Sequence, residues 1–440
     1  MNHQDNIFET DRQKKNWLHK NNIESERAIL VGMESSPKDK IDGMSYNERS
    51  LDELGELAAT AGAVVLEKVI QVRQKRHAAF YVGKGKVEEV RMMSQALDAN
   101  LIIFDDELSG AQIRNIEKIV GVKVIDRTSL ILDIFSQRAR SKEGKLQVEL
   151  AQLKYRISRL AGMGKQLSRL GGGIGTRGPG EKKLETDRRH IRRRIKYLNS
   201  QLEQIEKRRN SLRVSRNDSD VPVIALVGYT NAGKSTLMNK LCDADVFSED
   251  KLFATLDPTT RKLELGEGKH ALLIDTVGFI RKLPHDLVEA FKSTLEEAVY
   301  ADVLIHVVDI SSQETEEQVQ VANNILKDLE ALDKPVIMVF NKIDLVSNHS
   351  RPGVVNRNGK CFEISATSGE GIDELVEGIL EILPQNETEA ELFVPYSEGW
   401  VISYLHQNGE ILKKEHREEG TEIFARVKTS KIGTIKKYCK

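Results

Sequence analysis

The sequence predicts a multidomain α/β protein, and three observations carry that prediction. Between Pro222 and Ile364, apolar runs of strand length alternate with amphipathic runs of helix length, the pattern of a mostly parallel sheet covered by helices. A Gly-x-x-x-x-Gly-Lys-Ser stretch, Gly228 to Ser235, lies between one such strand and one such helix. Charge is unevenly spread: Arg138 to Arg216 hold 23 Lys/Arg against 7 Asp/Glu, although the whole chain has a net charge of −1. The expected order is a polar tail (1–25), an N-terminal α/β domain (26–136) and a basic antiparallel helical hairpin (137–216). A phosphate-loop domain (217–385) and a small α+β domain (386–440) follow.

In the N-terminal domain, Ala28–Val31, Val69–Arg73, Leu101–Phe104 and Val122–Ile125 read as strands. Helices are expected near Ser50–Thr60, Lys86–Asp98 and Ser109–Val120. Gly83-Lys84-Gly85-Lys86 has the wrong spacing for a phosphate loop and reads as a turn opening a helix. The hairpin rests on two heptad stripes, Leu146, Leu150, Leu153, Ile157, Leu160 and then Ile191, Ile195, Leu198, Leu202, Ile205, Leu212. Its charge excess, with Arg156, Arg159, Arg188, Arg192 and Arg193 among the contributors, points to a polyanion such as RNA.

The connector, 161–185, is far longer than bundle loops usually are. Gly171, Gly172, Gly173, Gly175, Gly178 and Gly180 would let backbone approach a crowded surface, and Arg169 and Arg177 would touch phosphate or base. The RNA-contact candidates are therefore Arg169, Gly172, Gly173, Arg177 and Gly178, with a plain flexible linker as the alternative.

The phosphate-loop domain carries ordered motifs. Gly228, Tyr229, Thr230, Asn231, Ala232 and Gly233 form a loop whose backbone N–H groups can surround phosphates. Lys234 adds a positive charge, and the Ser235 hydroxyl can ligate Mg²⁺. Asp275, Thr276, Val277 and Gly278 end the next apolar run and resemble the third motif of GTPases. There Asp275 would hold the metal, directly or through water, and the Gly278 N–H would reach the γ-phosphate. Asn341, Lys342, Ile343 and Asp344 leave the end of a later strand, and Asp344 can accept two hydrogen bonds from guanine that adenine cannot offer. Ser365, Ala366 and Thr367 resemble the fifth motif, with the Ala366 N–H directed at guanine O6. GTP is thus preferred over ATP.

Phe279 stands where Ras-like enzymes orient water with glutamine, so turnover by the isolated chain should be slow. Asn231 resembles the asparagine of potassium-activated GTPases, which implies a K⁺ site; a loop-bracing role is the alternative. Phe253, Ala254, Thr255, Leu256 and Asp257 open the expected first switch, which runs on to Arg261 and offers Thr255, Thr259 and Thr260 as metal ligands.

With 39% apolar residues in 440, the chain can build about three cores, and no apolar run nears the ~18 residues of a membrane span. Met1 to Asn22 lack a signal-peptide core, so a cytoplasmic monomer is expected, with peripheral membrane attachment left open. Cys242, Cys361 and Cys439 have neither metal-ligand nor disulfide spacing.

The chain resembles the HflX family of the Obg–HflX superfamily over nearly its whole length. The likeness is carried by Phe80 to Lys86, by Gly172-Gly173-Ile174-Gly175-Thr176-Arg177-Gly178-Pro179-Gly180-Glu181, by Gly228 to Ser235, by Phe253 to Pro258 and by Asp275 to Arg281. A match to the Phe-Thr-Thr-Leu stretch of Obg-type GTPases favours Thr255 as the Mg²⁺ ligand. The resemblance implies a GTPase bound to the large ribosomal subunit and its rRNA, with the hairpin loop toward the peptidyl-transferase region, that splits stalled ribosomes under stress. An assembly or quality-control scaffold without splitting activity remains open, as does an RNA-remodelling NTPase with a second nucleotide site in the N-terminal domain.

Overall fold

The computed structural model describes residues 25–439 apart from 36–39, 42, 161–178, 218–220, 243–251, 254, 267–268, 285–286, 288–291, 332, 347–359 and 384–386. Residues 1–24 of the polar tail, the five RNA-contact candidates and Ala254 lie outside the described residues. The chain divides into two compact units, 1–137 with 155–189, and 138–154 with 190–440.

In the first unit, strands β1 (Arg27–Glu34), β2 (Val64–Val72), β3 (Leu101–Phe104) and β4 (Lys123–Asp126) form a parallel sheet in the order β2-β1-β3-β4. Central β1 is buried from Ala28 onward, as a strand covered on both faces must be. Helices α1 (Tyr46–Thr60), α2 (Lys84–Ala96) and α3 (Gly110–Val120) connect the strands. Ser45 and Ser109 start α1 and α3 with capping boxes to Glu48 and Gln112, which satisfy amides that a helix start leaves open. Gly83 is the N-cap of α2, so the Gly-Lys-Gly-Lys stretch does open a helix.

Helix α4 (Arg127–Arg138) was not anticipated; it follows β4 without a loop and buries Leu130, Ile131, Ile134 and Phe135. Its signal was Asp126, whose Oδ1 accepts the Ser129 N–H at 3.0 Å in the manner of an N-cap. Asp126 is wholly buried and also accepts the Leu108 N–H at 2.9 Å, the Tyr155 hydroxyl and the Arg159 guanidinium.

Helices α5 (Lys142–Leu160) and α6 (Pro179–Asn217) are the two arms of the hairpin. In the second unit Glu143 pairs with Arg209, and Glu149 with Arg194 at 2.7 and 2.9 Å, an antiparallel register. Helix α6 begins at Pro179, earlier than the expected end of the connector at 185. Proline suits a first helical position, where its missing N–H costs nothing.

The nucleotide-type sheet contains β5 (Val223–Gly228), β6 (Thr259–Gly266), β7 (Lys269–Asp275), β8 (Val303–Asp309), β9 (Val336–Asn341) and β10 (Cys361–Glu363). Their order is β10-β9-β8-β5-β7-β6. All neighbours are parallel except β6, an edge strand antiparallel to β7 that takes in the end of the expected first switch, Thr259 to Arg261. Helices α7 (Lys234–Cys242) and α10 (Ile372–Ile382) place Leu237, Met238, Leu375 and Ile379 in the core on one face. Ala298 of α8 (Lys292–Tyr300) and Leu326 of α9 (Thr315–Asp328) cover the other.

The last segment is α+β: β11 (Glu387–Pro395), α11 (Trp400–Asn408), β12 (Gly409–His416), β13 (Gly420–Lys428) and α12 (Thr429–Ile435), with an antiparallel sheet in the order β11-β13-β12. Val401, Leu405 and Ile435 pack on Leu392, Val394 and Ile423. Among the described residues no helix is long and apolar enough to cross a membrane.

Candidate functional site

The loop between β5 and α7 has the shape its glycines allow. Gly228 has φ +146°, and a Cβ there would lie 2.2 Å from Val307 O; Gly233 has φ +93°, and its Cβ would lie 2.2 Å from Asn341 Nδ2. A side chain at Gly228 would strike the main chain of β8, and one at Gly233 would displace the Asn341 amide, with a positive φ at both places. Lys234 is buried and donates to Gly228 O at 3.2 Å and Tyr229 O at 2.7 Å, which holds its ammonium inside the curve of the loop. Burial lowers its pKa to about 8, with the Asp275 carboxylate opposing.

Three oxygens converge beside Lys234. Ser235 Oγ donates to Asp275 Oδ2 at 2.6 Å, Thr255 Oγ1 donates to the same oxygen at 3.0 Å, and the two hydroxyls are 3.0 Å apart. Asp275 Oδ1 is buried and has no hydrogen-bond partner. Burial raises the Asp275 pKa, while Lys234 and the Ser235 and Thr255 hydroxyls pull it down. Two hydroxyls and one carboxylate are hard oxygen donors, and an orphaned buried carboxylate oxygen is a position that a cation would satisfy. This set suits Mg²⁺, which takes few protein carboxylates and completes its shell with phosphates and water. Thr259 and Thr260 instead begin β6, opposite Asp275 and Ile274.

The third motif is zipped to the phosphate loop. Phe279 N–H donates to Gly228 O at 3.0 Å and Thr230 N–H to Phe279 O at 2.8 Å. Gly278 faces the loop so closely that a Cβ would lie 2.7 Å from Thr230 Cγ2 and 2.9 Å from Lys234 Nζ. The Phe279 ring is buried with Val227, Tyr229, Ala298 and Ala301. Thr276 Oγ1 donates to Leu226 O at 2.7 Å, and Val277 is buried. Arg281 is buried against Glu314 and Glu317, with its N–H on the Tyr229 hydroxyl at 2.8 Å. Asn231 is exposed with φ +60°, a conformation asparagine tolerates.

At the other side of the loop, Asn341 is buried and Lys342 pairs with Asp309 at 2.7 Å. Asp344 is exposed on a short 3₁₀ turn, Ile343–Leu345. Ser365 is buried and accepts the Ser368 N–H at 3.1 Å, and Thr367 is exposed. The Ala366 N–H expected on guanine O6 donates to Asn341 Oδ1 at 2.9 Å.

In the first switch, Phe253 is buried with φ +56°, and Leu256 is buried. The Asp257 carboxylate is engaged by the root of the hairpin. Its Oδ2 accepts the Arg140 and Ser141 N–H groups, each at 2.8 Å, and its Oδ1 accepts the Ser141 hydroxyl. Arg140 and Ser141 were absent from the sequence-based site, because no local pattern ties them to a carboxylate more than a hundred residues away. Buried His306 on β8, close enough to Lys234 to feel its charge, was also missed.

Residues 48–136, 138–216 and 223–342 match family models described as "GTP-binding GTPase N-terminal", "GTP-binding GTPase Middle Region" and "50S ribosome-binding GTPase". A protein of Caldanaerobacter subterraneus subsp. tengcongensis named "GTPase HflX" is 53% identical over 405 residues, 92% of this chain and 91% of that protein. The "GTPase HflX" of Escherichia coli K12 is 44% identical over 375 residues, 84% and 88% of the two chains. Among solved structures, a GTP-binding protein of Sulfolobus solfataricus in complex with GDP is 24% identical, with a TM-score of 0.43, covering 81% of this chain and 98% of that one.

Proposed function

The chain belongs to the HflX family of GTPases, and from that premise we propose that it couples GTP binding and hydrolysis to association with the large ribosomal subunit, and so dissociates stalled ribosomes. The observation that carries the catalytic half of this reading is the convergence of Ser235, Thr255 and Asp275 beside the Lys234 ammonium.

A Mg²⁺ held by the Ser235 and Thr255 hydroxyls, with Asp275 directly or through water, would neutralise charge on the β and γ phosphates. The chain's own groups do the rest. Backbone N–H groups from 229 to 235 and the start of α7 bind phosphate, and Lys234 supplies fixed positive charge in a dry position. Gly278, pressed against Thr230 and Lys234, can bring its N–H to the γ-phosphate because no side chain intervenes. Exposed Asp344 reads the guanine edge.

Phe279 is turned into the core and orients no water, so the isolated chain hydrolyses GTP slowly. Asn231, exposed in the loop, would help hold a monovalent cation such as K⁺, as its likeness to the asparagine of potassium-activated GTPases implies. Arg192, Arg193 and Lys196, exposed on α6, supply the sequence-independent attraction to rRNA phosphate.

The test is GTP turnover with and without purified large subunits, beside sucrose-gradient profiles of whole ribosomes. Stimulation of at least about tenfold is expected, together with a shift from whole ribosomes to subunits. Stimulation without the shift would leave a GTP-gated assembly scaffold; neither would remove the ribosomal reading.

A further inference from the structure

We propose that Asp257 is a positioning residue for GTP hydrolysis: it seats the first switch on the root of the helical hairpin, and Thr255 keeps its place beside Ser235 and Asp275 only while that seat is made. The inference rests on the GTPase reading above and adds a residue and a mechanical link to it.

One buried residue, Leu256, separates Thr255 from Asp257. Two peptide units span at most about 7 Å between Cα atoms, so with one residue between them a shift of a few ångströms at Asp257 has little chain in which to dissipate before it reaches Thr255. Asp257 is held by three hydrogen bonds, two from backbone N–H groups and one from the Ser141 hydroxyl. Hydrogen bonds to an ionised acceptor are the stronger kind.

Helix α5 does not need this carboxylate to begin. Ser141 already caps it, its Oγ accepting the Gly144 N–H at 2.8 Å. Asp257 takes the amides of Arg140 and Ser141, ahead of the helix proper, so the contact is a junction between segments more than one hundred residues apart.

Gly144 is the second, independent sign of a built seat. It lies in the first turn of α5, where alanine would favour the helix, yet a Cβ there would stand 2.4 Å from Asp257 Oδ1. The helix forgoes a better former at the one point where the carboxylate enters. The second arm is tied down nearby: Arg209 of α6 pairs with Glu143 of α5 and lies 3.9 and 4.0 Å from Glu296 and Glu297 of α8. Displacing the hairpin root therefore strains the segment carrying Thr255, and a partner that holds the root still also holds the metal ligand.

The experiment uses the full-length protein and reads kcat, KM, the Mg²⁺ concentration for half-maximal turnover, GDP affinity and Tm. Asp257→Ala removes the carboxylate; Gly144→Ala leaves it intact and blocks its seat. Each is expected to lower kcat about tenfold and to raise the Mg²⁺ requirement, with GDP affinity within about twofold of wild type. In a Thr255→Ala background, Asp257→Ala should lower kcat no further, because the two changes remove the same ligand.

A fall in Tm with kcat and Mg²⁺ dependence unchanged in either variant would reduce the contact to packing and overturn the proposal. So would losses that add fully in the double variant. Wild-type protein that binds GDP but never turns over GTP would overturn the GTPase reading and the proposal together, whereas normal wild-type turnover with unaffected variants overturns the seat alone.

Discussion

Asn341 donates its Nδ2–H to Ala232 O at 2.9 Å, joining the Asn341-Lys342-Ile343-Asp344 segment to the Gly228–Ser235 loop. Its Oδ1 accepts the Ala366 N–H, so one buried side chain spans three of the motifs. Asn341→Ala leaves a buried carbonyl and a buried N–H without partners, at about 1–3 kcal/mol each. Guanine-nucleotide affinity should fall more than about tenfold and the melting temperature should drop with it. Titration calorimetry and thermal unfolding check both, and an unchanged melting temperature would show that the brace is dispensable.

Asp344 is exposed on its 3₁₀ turn. Asp344→Asn keeps its size and removes one of two acceptors for guanine. GTP should lose its advantage over ATP in a competition assay by roughly 100-fold or more, with melting unaffected. Wild-type protein that fails to discriminate GTP from ATP would rule out this residue as the base reader.

Phe279→Gln restores the residue type that orients water in Ras-like enzymes, but the position points into the cluster of Val227, Tyr229, Ala298 and Ala301. A buried amide there costs about 2–4 kcal/mol through lost packing and unmet hydrogen bonds. Turnover should not rise and stability should fall. A turnover gain above about tenfold would show that the side chain swings out to the phosphates.

His306 folds in as a neutral imidazole. Burial first, and the nearby Lys234 charge second, lower its pKa from 6.5 to about 4. The unfolded chain gains a proton on this residue near pH 6.5 that the folded chain takes up only near pH 4. Its contribution to stability is therefore constant above pH 7 and declines as pH falls through that window, by about 3 kcal/mol in all. Urea unfolding at pH 7.5 and pH 4.5 should show a smaller acid loss in His306→Met than in wild type. Equal losses would mean that the folded imidazole titrates as it does in the unfolded chain.

Much of the site could be read in the sequence because its chemistry requires particular residues at fixed spacing. Gly228 and Gly233 stand where side chains would strike Val307 and Asn341, and Lys234 and Ser235 follow as the first helical residues. The strands β5, β7, β8 and β9 were visible as apolar runs because a covered parallel sheet admits little else. Residue type alone does not separate Thr255, Thr259 and Thr260, and the likeness to Obg-type GTPases only favours Thr255; the folded chain puts the Thr255 hydroxyl on Asp275 and the other two in an edge strand. The Asp257 seat was illegible for a different reason. Its partners, Arg140 and Ser141, are common residues at an ordinary helix start, and what brings them to Asp257 is the packing of distant segments. Helix α4 was hidden because its cap, Asp126, is also the last residue of a strand.

Asp126 has a consequence for amide exchange. The Leu108 N–H sits in a loop and the Ser129 N–H in the first turn of a helix, places where backbone amides usually have no main-chain acceptor and trade hydrogen with water quickly. Both are hydrogen-bonded to the wholly buried Asp126 carboxylate. Their deuterium uptake is thereby set by the opening of β4, so two amides outside the strand ladder will report the slow clock of the sheet. The Tyr155 hydroxyl and Arg159 guanidinium bind the same carboxylate, so its two amide partners gain no easier route to water from that side.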